Sequence, residues 1–274
     1  MNNTSVSDKN EKFWNELCGT QLAIKIGIED SSSASLKKFD NWYFDFYPYL
    51  YHHIPFDLLK NKDVLEVGLG YGSVAQKIAE SGANYTGLDI APGPVDMVNH
   101  RLNQEGLNGR AIQGSILKPP LQPESFDTIV AIGCLHHTGD LQGALDQCFR
   151  LLRDGGQLIF MVYYAYSYRR WLRSPFATLR YFMREQKGFK DVVGFSARKD
   201  RIAYDKNSNG DSAPHTDWIS KDSLSYLCSA FSTFEASIEN IDRDPPFVLW
   251  KRKSLLSTSI PSRVGLDLYA CAKK

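Results

Sequence analysis

Between residues 62 and 160 the chain alternates short apolar runs with stretches in which apolar residues recur at helical spacing, a pattern that predicts βαβ units on a parallel sheet. Runs at 63–67, 85–89, 111–115, 126–132 and 157–162 predict five strands. Helices are predicted at 73–81, with Gly82 as its stop, and at 94–105, with Gly106 behind it. A third follows Asp140, its apolar positions running to Leu152, with Gly155-Gly156 ending it before the fifth strand. Two further runs, 234–241 and 266–272, alternate well enough to be strands, joined by a segment that holds Pro245, Pro246, KRK and Gly265. The expected sheet therefore has seven strands. Residues 1–61 and 163–220 lie outside this alternation; Ser31, Ser32, Ser33 and Ser35 predict a flexible turn in the first of them.

The glycine-rich turn narrows the chemistry. Val64-Leu65-Glu66-Val67-Gly68-Leu69-Gly70-Tyr71-Gly72-Ser73 runs from strand to helix, so backbone N–H groups can approach a ligand closely. A dinucleotide fingerprint would want glycine where Ser73 stands. An acid two residues before Gly68, Glu66, suits a ligand ammonium better than a pyrophosphate. Asp89, at the tip of the second strand, can accept from ribose hydroxyls in either case.

The motifs along the rest of the alternating core decide between the two. VLEVGLGYG, YTGLDI, SFDTIVAIGCLHHTGD and FRLLRDGGQLIF resemble, in order and spacing, the successive motifs of class I S-adenosylmethionine-dependent methyltransferases. The segment is similar to the small-molecule methyltransferase domains of ubiquinone and menaquinone biosynthesis. The resemblance covers residues 62–162 and implies an α/β fold. This is a Rossmann-like, seven-stranded, mostly parallel sheet with helices on both faces and the last strand antiparallel, plus a helical N-terminal cover (1–61), an inserted lid (163–220) and a completing C-terminal segment (221–274). It implies S-adenosylmethionine as cofactor and S-adenosylhomocysteine as product. Glu66, Gly68, Gly70 and Gly72 would face the methionyl part, Asp89 the ribose, Ile90 and Ile116 the adenine faces, and Ala131 with Ile132 the far wall. Ser115 stands where many relatives carry Asp; it would accept from the adenine amino group or be a turn residue only.

For the transfer itself, His136 and His137 follow the fourth strand at the carboxyl edge, where ligands bind in open α/β sheets. A neutral imidazole can take a proton from a hydroxyl or amine, and His137 is the favoured base, with one histidine of the pair expected to be a turn residue. Asp244-Pro245-Pro246-Phe247 has the wording of an amine-gripping box but the wrong place for one, which speaks against methylation of nucleic-acid bases. Residues 163–201 carry ten basic residues against three acids, interleaved with aromatics. Tyr163, Tyr164, Arg169 and Arg173 are the candidate substrate contacts, on a lid over an anionic acceptor; a solvated helix pair and a membrane-surface helix are the alternative readings.

Composition adds limits. Of 274 residues 43% are hydrophobic and 23% charged, with a net charge of +1, so no global field draws the chain to nucleic acid. Cys18, Cys134, Cys148, Cys228 and Cys271 show no C-x-x-C pair and no zinc spacing, which predicts reduced thiols in a cytoplasmic protein without a metal. The polar start has no secretory signal, and no apolar stretch is long enough for a membrane span. The expected acceptor is small or lipid-linked and methylated on oxygen or nitrogen, with no DNA partner. A non-catalytic cofactor-binding subunit and a macromolecule methyltransferase are the alternatives.

Overall fold

The computed structural model describes residues 5–17, 19–193 and 197–274, so Cys18 lies outside the described residues. Eight strands are present among these: β1 (Asp63–Val67), β2 (Asn84–Asp89), β3 (Gly109–Gln113), β4 (Phe126–Ile132), β5 (Leu152–Tyr164), β6 (Trp218–Ile219), β7 (Thr233–Glu239) and β8 (Asp267–Lys273). They form one sheet in the order β3-β2-β1-β4-β5-β8-β7, with two-residue β6 pairing with the end of β5. β1 to β5 are parallel, and β8 is antiparallel to both β5 and β7.

The sheet is buried on both faces because its side chains alternate between two cores. Leu65, Val67, Ile129 and Phe160 pack with the helix Leu141–Leu151 on one face. Val64, Val130, Ile159 and Tyr269 pack on the other with the helices Ser73–Glu80 and Pro92–Glu105. Residues apolar to both sides are what a parallel sheet between helical layers requires. The N-terminal region closes the second layer through Phe44, Leu50, Ile54 and Phe56.

Three local expectations need correction. The serine run is no flexible turn: Ser32 is the N-cap of the helix Ser33–Phe46, its hydroxyl accepting from the Ser35 N–H at 3.4 Å, a role short hydroxyl side chains fill by satisfying an orphan donor. The helix after Asp140 stops at Leu151, and residues 152–156 already belong to β5. There the register shifts between the pairings Phe126↔Leu152 and Thr128↔Gln157, and Gly155, at φ +73°, supplies the conformation an irregular strand needs. The third strand ends at Gln113, leaving Ser115 in the following turn.

The chain runs from β1 outward through β2 to β3, then returns to β4 on the other side of β1. That reversal opens a crevice beyond the carboxyl ends of β1 and β4.

Candidate active site

The crevice holds a cleft whose floor is the turn after β1. Gly68, Gly70 and Gly72 all have positive φ (79°, 52° and 83°), and a Cβ on Gly68 would strike the side chain of Cys134. Glycine is therefore required there by both conformation and space. The Cys134 thiol donates to the Val67 carbonyl at 2.9 Å, fastening the end of β1 to the turn after β4.

Asp89 ties the floor to the next wall. Its Oδ2 accepts from the Leu69 N–H at 2.8 Å and its Oδ1 from the Ala91 N–H at 2.9 Å, so one carboxylate joins the glycine turn to the start of the helix Pro92–Glu105. Each oxygen keeps lone-pair capacity for a hydroxyl in the cleft. Burial pushes this carboxyl up to about 6, against the pull of its backbone donors. Glu66 is deeper, 3% exposed, and its Oε2 accepts from the Tyr85 hydroxyl at 2.6 Å. Burial pushes it up to about 8, the tyrosine hydrogen bond opposing. A cation arriving in the cleft would meet an acid that has no ion pair among the described residues, with the Arg101 charge acting on it from nearby.

Behind the turn, Asp40 accepts from the Ser73 hydroxyl at 2.6 Å and from both terminal nitrogens of buried Arg101, at 2.9 and 3.1 Å. The N-terminal cover is thus bolted to the first turn of the helix that leaves the glycine loop.

Of the expected cofactor contacts, Glu66, Gly68, Gly70, Gly72, Asp89, Ile90, Ser115, Ile116 and Ile132 all line the cleft. Ala131 does not: it is fully buried against the other face, because alternation along β4 sends neighbouring side chains to opposite sides. The Ser115 hydroxyl accepts from the Leu117 N–H at 3.2 Å, so it is at once a turn residue and a cleft residue.

The two histidines separate. His136 is fully buried behind the cleft, its ring 4.2 Å from that of Tyr163, and neither ring nitrogen has a partner among the described residues. Burial, with His137 and His215 nearby, pushes its pKa well down. It is a neutral packing residue. His137 lines the cleft, and its Nδ1 lies 2.7 Å from the His215 carbonyl, which can only accept; the proton of the neutral ring therefore sits on Nδ1. Its Nε2 faces the Asp205 Oδ2 at 3.6 Å. Burial raises Asp205, opposed by His137 and by the Tyr163 hydroxyl, which donates to its Oδ1 at 2.8 Å.

The expected substrate contacts lie outside the cleft lining. Tyr163 borders it, its ring edge-on to that of His137 at 5.8 Å and its hydroxyl on Asp205, and Tyr164 is buried in the core. Arg169 is held between Asp242 and Asp244, each at 2.9 Å. Arg173 is exposed at the end of the short helix Tyr168–Arg173. Four more of the basic residues in 163–201 are ion-paired: Arg170 with Asp200, Arg184 with Asp191, Lys190 with Asp222, and Arg198 with Asp211. Acids thus take up part of that positive charge, Asp191 and Asp200 from within the segment and Asp211, Asp222, Asp242 and Asp244 from outside it.

The sequence predicts a helical cover over residues 1–61 but not which of its residues reach the cleft, and it gives no sign of the acid. The helix Val6–Trp14 crosses the cleft mouth, with Asn10 donating to the His137 carbonyl at 2.6 Å and the Trp14 ring 4.9 Å from the imidazole. Asn10 had no periodicity to mark it, and Phe13-Trp14 reads as packing. Asp205 sits in an irregular stretch where no spacing signals a pairing with residue 137.

Comparison with known proteins bears on the fold and on the segment that holds the glycine turn. A family model described as a methyltransferase domain matches residues 65–160. The ubiquinone biosynthesis O-methyltransferase of Pseudomonas fluorescens is 33% identical over 104 residues, 37% of this chain and 44% of that protein. The demethylmenaquinone methyltransferase of Tropheryma whipplei is 31% identical over 119 residues, 43% and 47% respectively. The chain spans less than half the length of these curated relatives. Among solved structures, a putative S-adenosylmethionine-dependent methyltransferase from Listeria monocytogenes superposes with a TM-score of 0.57 at 15% identity, covering 83% of this chain and 97% of its own. YcgJ from Bacillus subtilis gives 0.55 at 17%, covering 83% and 98%. The fold is that of the class I S-adenosylmethionine-dependent methyltransferases. Residues 65–160 match the methyltransferase-domain model, and the cleft lining offers groups that would suit that cofactor: a buried acid for an ammonium, an anchored aspartate for ribose hydroxyls, and isoleucines for an adenine ring.

Proposed function

We propose that the chain transfers a methyl group from S-adenosylmethionine to an oxygen or nitrogen of a small or lipid-linked acceptor. The observation that carries this reading is that one cleft is lined by the glycine turn, Asp89 and His137, whose Nε2 lies 3.6 Å from the Asp205 carboxylate outside that lining. When bound, the cofactor supplies an electrophilic methyl group. Asp89 holds the ribose hydroxyls, Glu66 supplies negative charge near the methionyl ammonium, and Ile90, Ile116 and Ser115 border the adenine. His137 takes the acceptor's proton on Nε2, and Asp205 stabilises the imidazolium so formed. Positioning provides most of the acceleration, since the acceptor lone pair must lie in line with the bond that breaks.

The acceptor class draws on the relatives, whose names refer to ubiquinone biosynthesis and to demethylmenaquinone. The anionic acceptor expected from the sequence loses its main support with the pairing of Arg169. We assign cofactor binding to residues 62–162, while 163–220 supplies Asp205 and the outer wall. A cytoplasmic place fits the four described cysteines, all free thiols.

Calorimetry with S-adenosylhomocysteine tests the first half. Asp89→Asn keeps the shape but removes the charge, and should weaken binding by about 1 to 3 kcal/mol. Tighter binding of a nicotinamide dinucleotide would overturn the assignment. Labelled cofactor incubated with a fractionated extract tests the second half. Label in small molecules or extractable lipid is expected; label confined to macromolecules, or no transfer at all, would overturn the acceptor class or the activity.

A further inference from the structure

The helix Pro175–Gln186 is inside out. Its inward stripe is Thr178, Tyr181 and Glu185, with the tyrosine and glutamate hydrogen-bonded to Ser220 and Ser223, whereas Phe176, Leu179 and Met183 project into solvent. At 3.6 residues per turn these three share one outer face. Arg180 and Lys187 flank it and have no ion-pair partner among the described residues; the acid of the helix is turned inward.

A second apolar tip lies on a linked segment. β5 and β7 run in the same direction, both antiparallel to β8, so the segments that come after them leave the same edge of the sheet. The segment after β7 presents Leu249 and Trp250, followed by exposed Lys251. It is joined to the insertion by the Arg169 pair with Asp244 and by Tyr168 packed on Phe247 at 5.0 Å. Leu249 (93%) and Phe176 (86%) are the two most exposed large apolar side chains among the described residues. Both therefore lie on linked segments at the carboxyl edge, where the cleft also opens.

We propose that this helix face docks on an anionic lipid surface, with Phe176, Leu179 and Met183 entering the headgroup region and Arg180 and Lys187 meeting lipid phosphates. Charge complementarity selects this occupant: apolar residues bordered by unpaired cations are what an interfacial helix presents, and a protein partner would need no such one-sided charge. No helix among the described residues is long and apolar enough to cross a membrane, so contact would be at the surface. The proposal does not depend on the methyl transfer proposed above.

The test is sedimentation of the full chain with phosphatidylcholine vesicles, alone or with about one third phosphatidylglycerol. Binding to the anionic vesicles should be about 10-fold tighter and should fall in about 1 M salt, where the screening length is about 3 Å. Phe176→Asp with Leu179→Asp should abolish it, and Arg180→Glu with Lys187→Glu should remove the anionic preference. Both pairs are exposed, so unchanged melting and unchanged S-adenosylhomocysteine binding are expected to show an intact fold. Equal binding to both vesicle types, no binding, or binding indifferent to the substitutions would overturn the proposal. So would self-association that the Phe176 and Leu179 pair abolishes without any vesicle binding, which would make the face a contact between protein copies.

Discussion

His137 presents one ring nitrogen to a carbonyl and the other to a carboxylate, and the two contacts determine what a proton can do there. With Nδ1 donating to the His215 carbonyl, the Nε2 lone pair is the one available, and the charge formed when it is protonated lies beside Asp205. Removing the base should cost more than removing its partner. His137→Ala is expected to lower kcat by about 100-fold or more with the S-adenosylhomocysteine Kd unchanged, because an interaction confined to the transition state is lost. Asp205→Asn should cost about 10-fold in kcat with the S-adenosylhomocysteine Kd unchanged, because it removes the negative charge beside the ring that takes the proton. A purely structural Asp205 would instead lower Tm and leave kcat of the folded enzyme unchanged. The histidine itself was legible as one of two, because strand ends at the carboxyl edge collect ligand-facing residues. Which of the two faces the cleft was not, since adjacent residues in a turn of 3-10 type diverge by an angle that only the fold settles. The acid was illegible because the contact spans residues 137 and 205 through an irregular segment.

At the level of elements, the helix Val6–Trp14 is the piece whose position a ligand should change. It is internally well made: Ser5 and Asp8 form a reciprocal cap, each side chain accepting from the other's N–H at 3.1 Å. Its ties to the body are few: the Trp14 ring on the His137 imidazole, Asn10 on the His137 carbonyl, Glu11 accepting from Gln113 at 3.5 Å, and Asn15 just beyond it accepting from the Gly93 N–H at 2.8 Å. Such an element opens at low free-energy cost unless something beneath it adds contacts. Saturation with S-adenosylhomocysteine should therefore slow hydrogen exchange across residues 6–14 more than across the helix Leu141–Leu151, and Trp14→Ala should weaken binding by about 10-fold. Equal protection in both helices would show the roof to be a fixed wall. The five parallel strands were readable because apolar runs bounded by glycine and proline leave little choice of element, and Asp89 stands at the strand tip where the fold needs it. β6 was not, because two residues carry no periodicity. The start of β5 was not, because an apolar helical stripe runs on into Leu152 and hides where the strand begins.

For the molecule as a whole, net charge conceals a set of acids that are largely buried. Burial raises Glu66 to about 8 and Asp89 to about 6, and it raises Asp267, which accepts from the Asn240 side-chain amide at 2.8 Å, to about 7. Linkage gives the sign: an acid whose folded pKa lies above its unfolded one binds its proton more tightly when folded. Its contribution is complete below the ordinary carboxylate range and is lost as pH rises through the folded value. The ligand-free protein should thus lose stability between about pH 4 and pH 8 through these three groups. Glu66 is the informative one, because the cofactor's ammonium favours its charged form and so opposes the loss. Binding should release protons and tighten as pH rises from about 6 to 8, read by calorimetry in buffers of different ionisation enthalpy. Glu66→Gln keeps the shape of the protonated acid and an acceptor for Tyr85. It should leave Tm unchanged near pH 5 and raise it by several degrees near pH 8, at roughly 2 to 4 °C per kcal/mol for a chain of this size, while weakening and flattening the pH dependence of S-adenosylhomocysteine binding. A variant that melts like the parent at both pH values would mean that Glu66 is already charged in the empty cleft. A variant that gains stability but binds as tightly as the parent would mean that the ammonium lies elsewhere.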